Sequence, residues 1–253
     1  MAGEGDRPEI VLVPGFMQGG RSWAAVTARI DRRYRALALD HRAHDFGGRL
    51  REIEAAAAPR AALVGYSLGG RLVLHAALRA ATQAGRYGAV VLVGASAGIE
   101  DPVKRSQRRA DDERLAAWIE GQPVEAVVDR WERTPALAGQ PAEMVAAQRA
   151  DRLAHDPARL AELLRSAGQG TLVPVWERLR GLGAPLLALA GDRDTGYVEA
   201  AERLAALAPR GHARTIPNAG HAAHLEQTDA FAAALLEFLD DHLGERRLVD
   251  GDA

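Results

Sequence analysis

A serine between two glycines is the residue whose surroundings point most clearly to chemistry. Ser67 lies in the stretch "VGYSLGGR", after an apolar run typical of a strand and before a run typical of a helix. The pattern G-x-S-x-G in this context predicts a sharp turn that projects a nucleophilic hydroxyl. Gly65 and Gly69 leave room for the turn. The amide of Leu68 is expected at the helix N-terminus, where it can stabilise a developing negative charge.

A base and an acid able to activate this serine follow later in the chain. His221, in "PNAGHAAH", comes after the last predicted strand, and Asp194, in "AGDRDTG", follows the fifth. The order Ser67, Asp194, His221 is that of the α/β-hydrolase fold. Asp192 is the alternative acid and is interpreted as a turn residue. His224 is the alternative base and is interpreted as a surface histidine on the last helix.

The loop after the first strand is expected to supply a second donor to a developing oxyanion. It reads "VPGFMQGGRSW", and the backbone amide of Phe16 is the candidate. Pro14, just before Gly15, has no amide hydrogen and no imidazole with which to brace the loop. The sequence therefore leaves open how this loop is held.

A cation is expected beside the serine. Arg71 is four residues after Ser67, so the two share a helix face. A buried cation needs an anion, which is either an aspartate or glutamate of the protein or a carboxylate of a ligand. Arginine suits a carboxylate because its planar guanidinium donates two parallel hydrogen bonds.

The elements that must position these residues alternate between strands and helices. Short apolar runs without polar alternation predict strands buried on both faces of a mostly parallel, doubly wound sheet. They span Ile10–Gly15, Tyr34–Asp40, Ala61–Ser67, Ala89–Ser96, Pro185–Asp192 and Ala213–His221. Helices are predicted over Trp23–Arg32, Leu68–Ala84, Glu199–Ala208 and Asp229–Leu243. The fold class is therefore α/β, with the α/β-hydrolase fold.

A helical segment interrupts this alternation. Helices are predicted near Pro102–Glu120, Pro123–Trp131, Ala142–Leu153 and Pro157–Ala167, with no strand between them. We expect residues 99–181 to form a helical cap over the carboxyl edge of the sheet, where such sheets bind ligands. Residues 1–98 and 182–253 form the predicted core.

Composition argues against several other classes of protein. The net charge of −2 and the pI of about 6.5 indicate neither a nucleic-acid-binding nor a membrane-binding surface. The chain has no cysteine, which excludes disulfides and thiolate chemistry. No apolar run approaches the ~20 residues of a membrane span, and the N-terminus lacks a signal sequence. A cytoplasmic protein is expected.

Two other clusters of polar residues are interpreted as structural. His41, His44 and Asp45 lie together in "DHRAHDFGG", but their spacing matches no familiar set of metal ligands, so no metal is expected. The basic stretch "RSQRR" is followed at once by "DDE" and is interpreted as a solvated helix face with some arginines turned inward.

Four motifs together resemble the 2-succinyl-6-hydroxy-2,4-cyclohexadiene-1-carboxylate synthases of menaquinone biosynthesis. They are "GYSLGGR", "GIEDPVKRSQRRADDERLAAWIE", "VVDRWERTPAL" and "IPNAGHAAHLEQ", and the resemblance runs from about Ile10 to Phe238. It implies an α/β-hydrolase fold, no cofactor and a small anionic substrate. The implied reaction is a lyase elimination of pyruvate, in which the serine of a Ser-His-Asp triad acts as the base.

The resemblance also implies roles for individual residues. Ser67, Asp194 and His221 would be catalytic, with the amides of Phe16 and Leu68 as the oxyanion hole. The implied substrate-binding residues are Tyr66, Arg71, Arg108, Trp131 and Arg149, with Arg105 and Arg109 as competitors for the role of Arg108. Arg71, Arg108 and Arg149 would each bind one of the three substrate carboxylates. The chain departs from the family at Pro14, where histidine is usual, and at "DHRAHDFGG", which replaces "DLPGHG".

Two other functions fit the same residues. A carboxylester or carbon–carbon bond hydrolase for an acidic small molecule would use Ser67 as a nucleophile and form an acyl-enzyme. A non-catalytic ligand-binding protein on the same fold would not need the three triad residues in order. The sequence does not decide the oligomeric state.

Overall fold

A single sheet of six parallel strands organises the protein. The computed structural model describes residues 7–30, 33–83, 85–134, 137 and 139–243. The strand order is β2-β1-β3-β4-β5-β6, and every neighbouring pair is parallel. The strands are β1 (Glu9–Val13), β2 (Arg35–Ala38), β3 (Ala61–Tyr66), β4 (Tyr87–Val93), β5 (Leu186–Gly191) and β6 (Gly211–Ile216). The predicted α/β class with a parallel, doubly wound sheet is confirmed, with all six strands near their expected places.

Ten α-helices connect and cover the strands in the described part of the chain. They are α1 (Ala24–Thr27), α2 (Phe46–Ala56), α3 (Leu68–Arg79), α4 (Pro102–Glu120), α5 (Val124–Glu132), α6 (Ala142–Leu153), α7 (Pro157–Ala167), α8 (Thr195–Leu207), α9 (Ala223–Glu226) and α10 (Thr228–Leu243). Two 3₁₀ helices, Gly20–Trp23 and Trp176–Gly181, complete the described helical structure.

The apolar runs form strands because both of their faces are covered. Val11 packs into a cluster with α2, α3 and α8 on one face, and its neighbour Leu12 packs with α1 and α10 on the other. The central strands β1, β3 and β5 are buried throughout, whereas the edge strand β2 alternates between exposed and half-buried residues. The strand sequences therefore lack polar alternation because both faces of the sheet are buried.

The helices α4–α7 follow β4 and precede β5 in the chain. An apolar cluster of their own, which includes Ile119, Val128 and Leu160, packs against Met17 in the loop after β1. These helices therefore lie against the loop that follows β1. The bounds of α4, α6 and α7 agree with those expected from the sequence. The division of the chain at 98/99 and 181/182 stays a prediction.

Several helices differ from the sequence prediction. Helix α8 begins at Thr195 instead of Glu199, and α3 ends at Arg79 instead of Ala84. The helix expected over Trp23–Arg32 is a 3₁₀ turn followed by a single α-helical turn, and α2 was not expected. Gly47 and Gly48 lower the helix propensity of α2. Asp45 caps it, since its carboxylate accepts a hydrogen bond from the amide of Gly48 at 2.9 Å. Arg32, Ala84 and the tail after Leu243 lie outside the described residues, but residues 80–83 already form a turn and not the predicted continuation of α3.

None of the helices in the described ranges is long and apolar enough to cross a membrane.

Candidate active site

The serine lies at a strained turn between β3 and α3. Ser67 has φ 50° and ψ −108°, a conformation that costs free energy for any residue with a side chain. A Cβ on Gly65 would overlap the backbone of Gly69, and one on Gly69 would overlap the carbonyl oxygen of Val13. The glycines are therefore required by close backbone approach, and the turn directs the hydroxyl of Ser67 into a cavity.

The three residues predicted to form a triad are hydrogen-bonded to one another. His221 Nε2 lies 3.1 Å from Ser67 Oγ, and His221 Nδ1 lies 2.6 Å from Asp194 Oδ2. A carboxylate only accepts hydrogen bonds, so Nδ1 carries the hydrogen and Nε2 is free to take the proton of the serine. This is the arrangement in which an imidazole acts as the base for a hydroxyl.

Two carboxylates hold the loop that carries His221. Glu226 accepts hydrogen bonds from the amides of Gly220, at 2.6 Å, and Ala222, at 3.1 Å, on either side of the histidine. Asp192 accepts from the amides of Asn218, at 2.9 Å, and Ala219, at 3.2 Å. Asp192 therefore binds the loop backbone, which agrees with its interpretation as a turn residue.

The interpretation of His224 as a surface residue is wrong. Its side chain is fully buried, and the rings of Trp23 and Tyr66 lie 4.5 Å and 4.4 Å from it, centroid to centroid. Burial, together with the nearby His221, lowers the pKa of His224 to about 3. Neither ring nitrogen has a partner among the described residues. The sequence did not reveal this burial because α9 is a single turn, too short for a periodicity.

The backbone amides proposed for an oxyanion hole are unpaired. Neither the Phe16 amide nor the Leu68 amide donates to an acceptor in the ranges that the structure describes. Both residues line the same cavity as Ser67. Gln18 braces the loop in place of a histidine, because its side-chain oxygen accepts a hydrogen bond from the Gly15 amide at 3.2 Å. The loop that contains Pro14 is therefore held by the side chain of Gln18.

A cavity of about 420 Å³ lies between the serine and the helices α4, α5 and α7. Of the residues predicted to bind substrate, it is lined by Arg71, Arg108 and Trp131, and the Trp131 ring packs edge-on against Phe16. Asp112, Gln169 and Tyr197 also line it and were not expected. Arg105 and Arg109 do not line it.

Arg71 is a cation without a carboxylate partner among the described residues. Its guanidinium lies in the wall of the cavity and donates to the backbone carbonyl of Ala167 at 3.0 Å. Burial lowers the pKa of Arg71 to about 10, with Arg108 acting in the same direction and Tyr197 and Asp112 opposing it. Of the two partners left open by the sequence, a protein acid is not the one present, and a ligand carboxylate fits.

Arg108 is partly neutralised by the protein. Its Nε donates to the buried Asp112 at 2.7 Å, and its Nη1 donates to Gln169 at 2.8 Å. The side chain is 44% exposed, so part of the guanidinium still faces open space. The pair could have been anticipated, since residues at i and i+4 of a helix are neighbours.

Arg149 does not reach the cavity, contrary to expectation. It donates to Asp129 at 2.6 Å and to Glu132 at 2.5 Å, which neutralise it at the surface of α5 and α6. Arg152, one turn later in α6, is the buried arginine of this helix. It donates to Glu132 at 3.0 Å and leaves its Nε unpaired. The sequence did not distinguish the two because α6 carries several polar residues on adjoining faces.

Tyr66 does not line the cavity either. Its ring packs beneath Gly15 and lies 5.4 Å from the ring of His221. Burial and the carboxylate of Glu226 raise the pKa of its hydroxyl. Tyr66 therefore supports the histidine rather than facing the open space beside Ser67.

The polar loop of His41, His44 and Asp45 has a structural role. His41 Nδ1 is hydrogen-bonded to Glu52 at 2.7 Å, and burial lowers the pKa of this histidine to about 4. Asp45 caps α2. In the portion of the chain that is described, no three histidine, aspartate or glutamate side chains are grouped so as to hold a metal ion.

Comparison with known proteins points to one family. The model of the alpha/beta hydrolase family matches residues 10–234. The 2-succinyl-6-hydroxy-2,4-cyclohexadiene-1-carboxylate synthase of Serratia proteamaculans (strain 568) is 30% identical over 250 residues, which cover 94% of this chain and 95% of that protein. A Bacillus subtilis (strain 168) relative is 31% identical over 180 residues, but this match spans only 65% of the relative's own length. The solved structure of MenH from S. aureus superposes with a TM-score of 0.84 at 25% identity, covering 93% of this chain and 94% of that one.

Proposed function

The chain belongs to the alpha/beta hydrolase family and, within it, to the family of 2-succinyl-6-hydroxy-2,4-cyclohexadiene-1-carboxylate synthases, and from this we propose that it is a lyase that forms this compound. Its substrate would be 2-succinyl-5-enolpyruvyl-6-hydroxy-3-cyclohexene-1-carboxylate, from which it eliminates pyruvate. The observation that carries the proposal is that Arg71, beside Ser67, has no acidic partner among the described residues, because an anionic substrate would neutralise it.

The triad supplies the base. His221, oriented by Asp194, takes the proton of Ser67 as the serine oxygen removes the proton α to the succinyl ketone. The electron pair of that C–H bond moves to the ketone oxygen as an enolate and then through the ring double bond. The C–O bond to the enolpyruvyl group breaks, and the departing enol tautomerises to pyruvate. The proton held on His221 returns to the leaving oxygen or to solvent.

The amides of Phe16 and Leu68 are positioned to stabilise the enolate. Both residues line the cavity, and their amides lack a protein acceptor within the described residues. A preorganised donor of this kind typically contributes about 3–4 kcal/mol to lowering a barrier. The residues proposed for the reaction need no cofactor or metal.

The arginines predicted to bind the three substrate carboxylates would contribute unequally to binding. Arg71 would bind one carboxylate with its full charge. Arg108, already paired with Asp112, would bind a second through the part of its guanidinium that remains exposed. We do not propose that Arg149 binds a substrate carboxylate, because Asp129 and Glu132 already neutralise its guanidinium. Among the described residues that line the cavity, no further arginine or lysine is available for the third carboxylate.

Direct measurement of pyruvate tests the proposal. The purified chain, supplied with the enolpyruvyl precursor, is expected to release one pyruvate for each precursor consumed. Ser67→Ala should abolish the release while the folded state is retained. A matched control is Ser106→Ala, since Ser106 is an exposed residue of α4 that does not line the cavity. Absence of pyruvate release by the parent protein would overturn the lyase assignment.

A serine hydrolase for a small acidic ester is the second candidate. The pairing of Arg108 with Asp112 favours it, because a site with a single unpaired cation suits a substrate with one carboxylate. In that reaction Ser67 forms an acyl-enzyme. A burst of p-nitrophenol from a p-nitrophenyl ester, together with no pyruvate from the precursor, would favour the hydrolase. A protein that turns over neither would leave ligand binding as the role of the cavity.

A further inference from the structure

A chain of hydrogen bonds across the cavity orients one tyrosine hydroxyl. Arg108 Nη1 donates to Gln169 Oε1 at 2.8 Å, and Gln169 Nε2 donates to the Tyr197 hydroxyl at 2.9 Å. A guanidinium has no acceptor, so Gln169 must turn its oxygen toward Arg108 and its NH₂ group toward Tyr197. The tyrosine oxygen is therefore an acceptor in this contact, and its own proton must point away from Gln169.

That proton has no acceptor in the described parts of the chain. The Tyr197 oxygen makes no hydrogen bond there other than the one from Gln169. Tyr197 lines the cavity that contains Ser67 and His221, and its ring lies 4.8 Å from the ring of His221, centroid to centroid. Its backbone amide donates to the carbonyl of Asp194 at 2.9 Å, which fixes it in the first turn of α8. The half-buried Tyr197 hydroxyl thus has a proton available for a group bound in the cavity beside the triad.

We propose that the Tyr197 hydroxyl contacts the substrate, donating a hydrogen bond to the carboxylate that binds Arg71. Both side chains line the cavity that contains Ser67 and His221. A carboxylate has lone pairs for both a guanidinium and a phenol. Gln169 is the positioning residue, because it holds the tyrosine oxygen and leaves the proton for the ligand. The assignment rests on the proposed function in taking the ligand to be a carboxylate.

Binding of a dicarboxylate probe tests this contact without requiring turnover. The probe is succinate, titrated calorimetrically at constant ionic strength into the parent protein and its variants. Tyr197→Phe keeps the ring against His221 and removes only the hydroxyl, and it is expected to weaken succinate binding about 10-fold, as for a hydrogen bond to a charged group. The matched control is Tyr87→Phe, because the Tyr87 hydroxyl is also unpaired in the described structure but lies at the start of β4, away from this cavity.

The role of Gln169 is tested by a double-mutant cycle. Gln169→Leu should weaken succinate binding in the parent protein and should have a smaller effect when Phe replaces Tyr197, because the two residues act through one proton. In the pyruvate assay, Tyr197→Phe should raise KM by more than it lowers kcat. Fully additive effects of the two substitutions would show that Gln169 does not act through Tyr197.

The outcomes separate this contact from the proposed reaction. If Tyr197→Phe weakens succinate binding while the parent protein releases no pyruvate, the carboxylate contact stands and the lyase assignment falls. The opposite result is that the parent protein releases pyruvate while Tyr197→Phe binds succinate with a dissociation constant within about twofold of the parent value. That result would overturn the contact and leave the lyase assignment in place. Failure of millimolar succinate to bind the parent protein would also overturn it.

Discussion

Arg71 donates a hydrogen bond to the carbonyl oxygen of Ala167, and this neutral oxygen takes the place that an acid of the protein would occupy. The carbonyl belongs to the last residue of α7, whereas Arg71 belongs to α3. A charge held in this way is oriented but not neutralised. Among the described residues, no acid balances this cation beside Ser67, and the cavity is therefore suited to an anionic ligand.

Removal of this charge is expected to weaken substrate use. Arg71→Gln should lower kcat/KM by a factor that corresponds to about 1.5–3 kcal/mol, the range for a hydrogen bond to a charged group. Arg149→Gln is the matched control, because Asp129 and Glu132 already occupy that guanidinium and it does not line the cavity. Steady-state kinetics with the enolpyruvyl precursor measure both. Equal losses in the two variants would refute the assignment of Arg71.

Glu226 is expected to act on the reaction through the position of His221. Its two oxygens accept from the amides of Gly220 and Ala222. In Glu226→Gln the side-chain NH₂ group must face one of these amides, so the loop should shift. We expect kcat to fall about 10-fold, as for the loss of a charged hydrogen bond worth about 1.5 kcal/mol, with KM nearly unchanged.

Thermal unfolding distinguishes this positioning effect from a general loss of stability. Displacement of His221 relative to Asp194 should lower kcat even at temperatures where the variant is fully folded, whereas simple destabilisation should lower activity only as the variant unfolds. Glu199→Gln, at an exposed position of α8, serves as the control. An unchanged kcat in Glu226→Gln would show that the loop holds His221 without this carboxylate.

His224 is expected to make the fold sensitive to acid. Its pKa is about 3 in the folded protein against an ordinary value of 6.5. Between these values the unfolded chain binds a proton that the folded protein excludes, so the free energy of unfolding decreases as the pH falls through this window. The contribution of one such group is about 1.4 kcal/mol per pH unit.

The variant His224→Phe isolates that contribution. Phenylalanine suits the aromatic surroundings formed by Trp23, Tyr66 and Phe231, and it cannot be protonated. Urea denaturation at about pH 7.5 and about pH 5 should show a loss of stability about 2 kcal/mol smaller in the variant than in the parent protein. Identical losses in both proteins would mean that other groups account for the acid sensitivity.

Local patterns were sufficient for the strands and for the turn at the serine. Buried parallel strands have apolar residues on both faces, so runs such as the one before Ser67 can be identified without knowing their neighbours. The turn is also local, because Gly65 and Gly69 act within a few residues of Ser67. The order of Ser67, Asp194 and His221 reflects the topology, since each follows a strand of one parallel sheet. Helix α2 could not be predicted from local sequence, because its glycines lower the helix propensity. Its N-terminal cap and its tertiary packing stabilise the helix instead.

The pairing of charges, by contrast, was decided by the tertiary structure alone. Arg71 and Arg149 look equally available in the sequence, yet Asp129 and Glu132 from another helix neutralise Arg149, and no acid in the described residues reaches Arg71. The hydroxyl of Tyr197 is oriented by Gln169, 28 residues away in the chain. The sequence thus determined which elements form and which groups could react. Only the packing of α4–α7 against the rest of the described structure decided which charges and protons remain free for a ligand, because electrostatic and hydrogen-bond partners are set by proximity in space rather than along the chain.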